Sequence, residues 1–207
     1  MSVTVKICGI TSEADALAAA EAGADAIGLM FYEESPRHVT IQQAKAISSA
    51  LPKHIVRVGV FVNAEESLIS QAIIDCTLNI VQFHGDESPE DCGRFSVMSL
   101  KAFRMQGPET LEAMQKFPAD GFLLDAHVKD AFGGTGATFN WDLAVRAQEL
   151  GRPIFLAGGL TVDNVAEAVA IVQPFAVDVS SGVESEPGKK DPAKMRTFVS
   201  AAKGAST

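Results

Sequence analysis

Two side chains in this sequence have the chemistry of a proton-transfer pair: Cys8 in KICGIT and Asp125 in GFLLDA. A thiolate accepts a proton well once its pKa, about 8.5 when free, is drawn towards neutrality. A carboxyl group donates one if burial keeps it protonated. Gly9 follows Cys8 and leaves room around the sulfur, while Asp125 ends an apolar run where an unpartnered carboxylate is costly to bury. Each also has a plainer use. A free Cys often fills a core, and a strand-end Asp often caps a helix or pairs with a loop cation.

Two small-residue phrases suit an anion. AGGLT carries Gly158 and Gly159, and VSSGVE carries Ser181 and Gly182. Such residues let backbone N–H groups approach a phosphate, although a tight turn would use them equally. Neither phrase is a Walker loop or G-x-G-x-x-G, so no nucleotide is implied. Arg37 in YEESPRHV could grip a carboxylate with two parallel hydrogen bonds, or stand as an ordinary surface Arg. HVKDAFGGTGATFNW, with three glycines, has the length of a lid over a substrate or of exposed slack.

Short apolar runs that read as strands place these residues. They are Val5–Ile10, Ala26–Phe31, Ile55–Val62, Ile80–His84, Leu100–Arg104, Gly121–Asp125, Pro153–Ala157 and Ala176–Ser180. Helical spacing fills the intervals, with Ser12, Thr40, Asn63, Ser88 and Thr161 as expected N-caps and Pro108 and Pro192 in first turns. WDLAVRAQEL, stopped by Gly151, gives one more helix. The strands are nearly continuous in apolar character, as expected when helices cover both faces of a parallel sheet. Eight βα units without linker composition predict a single (βα)8 barrel over residues 1–207; an open doubly wound sheet is the rival. In a barrel, chemistry gathers at the C-terminal strand ends, where Cys8, His84, Asp125, Gly158 and Ser181 all fall.

Composition narrows the function. With 207 residues, 47% hydrophobic and 21% charged, the chain can bury a full core. The formal charge of −9, without a basic run, disfavours nucleic acid and anionic membrane surfaces as partners. No apolar run reaches the roughly 18 residues of a membrane span. The N-terminus reads as a strand rather than a signal segment, so the expected compartment is the cytoplasm. Cys8, Cys76 and Cys92 have no metal-ligand spacing, and no metal is expected. The substrate expected is a small anionic, phosphate-bearing molecule held by local groups.

KICGIT, GADAIGLMFYEESPRHV, VGVFVN, VQFHGDE, LLDA, FGGTGATFNW, AGGLTVDNV and VDVSSGVESEPGKKD together resemble the phosphoribosylanthranilate isomerase family of tryptophan biosynthesis. The resemblance runs from Val5 to about Lys203. It implies a (βα)8 barrel that performs an Amadori rearrangement without a cofactor, turning N-(5-phosphoribosyl)anthranilate into the carboxyphenylamino-deoxyribulose phosphate. By the same resemblance Cys8 is the general base, Asp125 the general acid, and Arg37 lies near the anthranilate carboxylate. His84 and Asp178 join Arg37 as substrate-binding residues; Gly158, Gly159, Ser181 and Gly182 hold the phosphate. Phe132 and Asn140 depart from the family pattern, bearing on lid packing and a helix cap rather than the reaction. A related isomerase of histidine biosynthesis would present an Asp in place of Cys8. An indole-glycerol-phosphate synthase would need a Lys and Glu set not recognisable here, and a non-catalytic binding barrel would lose Cys8 or Asp125. Monomer and homodimer both stay open.

Overall fold

A computed structural model describes residues 2–125 and 141–205. The expected lid loop, with Phe132 and Asn140, lies outside the described residues. Eight parallel strands close into a barrel in chain order: β1 (Thr4–Cys8), β2 (Ala26–Met30), β3 (Val56–Phe61), β4 (Ile80–Phe83), β5 (Met98–Arg104), β6 (Gly121–Asp125), β7 (Ile154–Ala157) and β8 (Ala176–Val179). Closure is made by β1 against β8, with Val5 beside Val177 and Lys6 beside Asp178. The open-sheet alternative is thereby excluded.

The helices follow their caps. Ser12 accepts a hydrogen bond from Asp15 N ahead of α1 (Glu13–Glu21), and Thr40 and Gln43 form a reciprocal capping box on α2 (Ile41–Ala50). Ser88 and Asp91 do the same for α4 (Pro89–Cys92), a single turn. Pro108 opens α5 (Pro108–Met114) and Pro192 opens α8 (Pro192–Gly204), where a missing N–H is least costly. α6 (Trp141–Ala147) tightens into a 3₁₀ turn, and Gly151 ends it in the left-handed region. Two expected caps are displaced. Asn63 has φ 49°, and its Oδ1 accepts from Asp86 N, so it serves the loop after β4, and α3 (Glu66–Asp75) begins after Glu65 without a side-chain cap. Thr161 instead donates its N–H to Asn164 Oδ1, and α7 (Val165–Val172) starts after Asn164.

Two apolar layers result. Val5, Ile7, Ile27, Leu29, Phe61, Val177 and Val179 face outward onto the helices. Ala26, Val58, Ile80, Leu100, Leu123, Phe155 and Ala176 fill the barrel interior. Because successive strand residues point to opposite faces, this inner layer fixes what stands above it. Two positions beyond Ile80, Leu123 and Ala176 come Gln82, Asp125 and Asp178, all therefore facing inward at the C-terminal mouth.

The joints repeat on alternate strands. Asp25, Asn79 and Asp120, just before β2, β4 and β6, accept the N–H of Val5, Arg57 and Ser99 respectively. Arg57 itself faces outward and is buried. Its guanidinium donates to the carbonyls of Ser48, Leu51 and Ile55, at and beyond the C-terminal end of α2, where positive charge meets the negative end of the helix.

Candidate active site

At the C-terminal mouth, a cavity of about 330 Å³ is lined by Cys8, Arg37, Gln82, His84, Asp125, Gly158, Gly159, Asp178 and Ser181. Of the site residues expected from sequence, only Gly182 is outside this lining. A neighbouring cavity of about 530 Å³ shares His84 and Asp125 and extends over Lys101, Arg104 and Phe117. A larger cavity, about 660 Å³, lies at the opposite mouth among Thr4, Pro153, Ile154 and Phe175, where the strands begin. Its lining brings no acid and base together, so size does not mark the site here.

Cys8 ends β1 and is buried. Gly28 on β2 makes room for it: a Cβ there would lie 2.6 Å from the sulfur and 3.1 Å from Lys6 Nζ. Below the thiol, Lys6 is completely buried and donates to Asp178 Oδ1 at 2.9 Å. Burial works against the Lys6 charge, but Asp178 and Cys8 together more than offset it and the ammonium is held more firmly protonated. For Cys8, burial pushes the thiol up; Lys6 opposes this and Asp178 adds to it. The net direction is upward, against the lowering expected from the sequence. Lys6 is the main group that lowers it, with a smaller contribution from Lys190, and desolvation of the thiolate wins in the free protein.

Asp125 ends β6 and is half-buried, with its side chain 22% exposed. Of the two leucines that precede it, only Leu123 shares its inward face; Leu124 packs against the helices. Its near neighbour is polar instead. His84 Nε2 lies 3.6 Å from Asp125 Oδ2. Gln82, buried one turn of the pleat below, places its amide nitrogen 3.0 Å from His84 Nδ1. With the amide in this orientation its NH₂ donates, which pairs with the Nε2–H tautomer of a neutral ring, the N–H facing Asp125.

Arg37 is drawn into a cluster. Its Nε and Nη2 donate to the two oxygens of Glu184, each at 2.7 Å, and Lys190 Nζ donates to Glu184 Oε1 at 2.8 Å. Burial pushes Glu184 up, and hydrogen bonds and charge from Arg37 and Lys190 outweigh it to hold the carboxylate below its usual range. Glu184 and Lys190 sit on an antiparallel hairpin after β8, β9 (Glu184–Glu186) and β10 (Lys189–Lys190). Neither was singled out from the sequence, though both fall in VDVSSGVESEPGKKD. Gln82 was missed as well; its inward parity with Ile80 and His84 is the signal that could have found it.

The anion loops take different parts. Gly158 and Gly159 both have positive φ, 81° and 67°, and Asn164 Nδ2 ties the Gly159 carbonyl to the start of α7. Ser181 opens a 3₁₀ turn, Ser181–Val183. Gly182 instead packs against the other loop: a Cβ there would fall 2.1 Å from the Leu160 carbonyl oxygen. Its small size therefore lets the loops after β7 and β8 touch.

The sequence model of the family described as N-(5'phosphoribosyl)anthranilate (PRA) isomerase matches residues 5–201. An N-(5'-phosphoribosyl)anthranilate isomerase of Geotalea uraniireducens is 54% identical over 200 residues, covering 97% of this chain and 98% of that protein. The crystal structure of phosphoribosyl anthranilate isomerase from Thermotoga maritima superposes with a TM-score of 0.89 at 42% identity, covering 98% of this chain and 99% of that one. A second isomerase structure, in complex with reduced 1-(o-carboxyphenylamino)-1-deoxyribulose 5-phosphate, gives 0.87 at 40% identity, with the same coverage of both chains. The match spans every strand of the barrel and the residues of its C-terminal mouth, and the chain belongs to the N-(5'-phosphoribosyl)anthranilate isomerase family.

Proposed function

We propose that this enzyme rearranges N-(5'-phosphoribosyl)anthranilate in tryptophan biosynthesis, with Asp125 as general acid and Cys8 as general base. The observation that carries this reading is their position: they end strands β6 and β1 and line one cavity with the Gly158–Gly159 loop and Ser181. Asp125 protonates the furanose ring oxygen as the C1–O bond opens to a Schiff base. The Cys8 thiolate then removes the C2 proton, and the resulting enolamine tautomerises to the ketone. No step needs an electron acceptor or an added cofactor.

Substrate anions fit the same frame. Phosphate is held by Gly158, Gly159 and Ser181, with Gly182 keeping the two loops together. Arg37 meets the anthranilate carboxylate, with His84 and Asp178 at the sugar. In the free protein the burial that raises the thiol means that the thiolate is a minor form near neutral pH; Lys6, with a smaller contribution from Lys190, keeps it accessible.

The test is paired substitution with the substrate's fluorescence as readout. Cys8→Ser and Asp125→Asn should each keep the fold and lower kcat by roughly 10²- to 10⁴-fold, the usual contribution of one acid or base. KM should change little. A serine variant within tenfold of wild type would remove Cys8 from the role. An asparagine variant of near-normal activity would pass the donor role to His84.

A further inference from the structure

We propose that Glu184 and Lys190 form a positioning clamp that holds Arg37 by one edge and presents its other edge to the substrate carboxylate; this rests on the reading of Arg37 given above. Glu184 engages Nε and Nη2, the side edge of the guanidinium, and Nη1 meets no acceptor among the described residues. Arg37 lines the Cys8 cavity with its side chain 23% exposed, whereas those of Glu184 and Lys190 are 5% and 0% exposed. The buried end of the cluster is thus the holder and the partly open end is the tool.

Charge explains why the holder needs two residues. A carboxylate alone would neutralise Arg37 and weaken its pull on another carboxylate. Lys190 restores one net positive charge, and it also donates to the Ser180 carbonyl at 3.1 Å, tying the cluster to the end of β8. Holding a long side chain in one geometry before substrate arrives removes part of the ordering cost of binding.

The hairpin is shaped for this task. Lys190 pairs directly with Glu184 across β9 and β10. Gly188, at the turn with φ 82°, approaches the loop that carries Arg37: a Cβ there would lie 2.9 Å from the Pro36 carbonyl oxygen, and the Gly188 carbonyl accepts from Thr11 Oγ1. Gly9, next to Cys8, lets the Arg37 stem cross the strand end, since a Cβ would fall 2.4 Å from Arg37 Cδ. Three separate segments therefore converge on one guanidinium.

The experiment compares two substrates, N-(5'-phosphoribosyl)anthranilate and N-(5'-phosphoribosyl)aniline, which lacks the carboxylate. The double variant Glu184→Gln/Lys190→Met removes one charge of each sign and leaves Arg37. It should lose roughly 10- to 30-fold in kcat/KM on the anthranilate, mainly through KM, as expected for one misplaced charge-assisted contact. On the aniline the change should stay below about threefold, and in an Arg37→Ala background it should vanish. Equal losses on both substrates, or losses that multiply with Arg37→Ala, would overturn the clamp. If Arg37→Ala itself treats both substrates alike, the carboxylate role of Arg37 falls, and the clamp with it. Should the double variant not fold, Glu184→Asp keeps every charge but shortens the reach; its KM should rise for the anthranilate only, and a rise shared by both substrates would overturn the proposal.

Discussion

Lys6 offers a sharp test of the site's electrostatics, because one buried ammonium serves two neighbours with separable readouts. In Lys6→Met the aliphatic stem is largely kept, but Asp178 loses its 2.9 Å partner. Breaking a buried ion pair in this way costs about 3–5 kcal/mol. For a domain of this size, where each kcal/mol moves Tm by roughly 2–4 °C, the melting point should fall by about 6–20 °C.

The second readout is the thiol. Lys6 is the main group that pulls Cys8 down against burial, so its loss must push Cys8 further up. An opposite charge at hydrogen-bond range favours the charged form, so removing the ammonium leaves less thiolate at any given pH. Below its pKa a thiol loses thiolate in proportion as that pKa rises, so kcat/KM near neutral pH should drop. The assay is the pH dependence of iodoacetamide alkylation, with the modified cysteine located by peptide mass spectrometry. Its midpoint should rise in Lys6→Met. In Lys6→Met/Asp178→Asn most of the stability should return, while the midpoint settles between those of wild type and the single variant, because Asp178 raises Cys8 less than Lys6 lowers it. A Lys6→Met midpoint at or below that of wild type would refute the reasoning, whatever happens to Tm.

Gly182→Ala should force apart the loops after β7 and β8, because the obstruction is a backbone carbonyl; KM should rise and competition by inorganic phosphate weaken, and unchanged phosphate inhibition would place the anion elsewhere. Gly159→Ala meets no protein atom within 4 Å but must adopt φ 67°, so it should lose about 1–2 kcal/mol in urea unfolding. Gln82→Met removes the donor to His84 Nδ1, and the ¹⁵N resonances of His84 should shift from the Nε2–H tautomer towards a mixture; an unchanged ring would show that Gln82 does not set it. Burial pushes Cys76 and Cys92 up to about 11. Both then favour the folded state fully at pH values below their unfolded pKa, about 8.5. That stability should be lost as pH rises towards 11, and Cys76→Ala should flatten the decline in urea midpoints over this window.

Local pattern carried the barrel and the placement of most candidate residues at its mouth, because both follow from the pleat. A run such as GFLLD reads as a buried strand, and the inward parity of Leu123 puts Asp125 at the mouth without reference to any other strand. Caps set by three-residue spacing, as at Thr40 with Gln43, were legible for the same reason. Asn63 misled because an Asn before a helix can also take φ 49° and turn its side chain to another loop, a choice made by Asp86, 23 residues away. The hairpin was passed over because Glu184–Lys190 is short and polar. Its purpose is a pairing with Arg37 across 147 positions, which no local period encodes.

The Lys6–Asp178 pair separates what is hidden from what is merely overlooked. The two residues are 172 positions apart, so local spacing says nothing about them. Barrel closure does. Once β8 must pair with β1, and Val5 and Ile7 face the helices, Lys6 is an inward residue in an apolar strand and requires a buried counter-charge. The inward candidate on the closing strand is Asp178, its register neighbour. Glu184 yields to no such deduction, because a hairpin outside the barrel has no register imposed by closure. The residues of a closed sheet can therefore be inferred from one another across the whole chain, while those supplied by its loops must be seen.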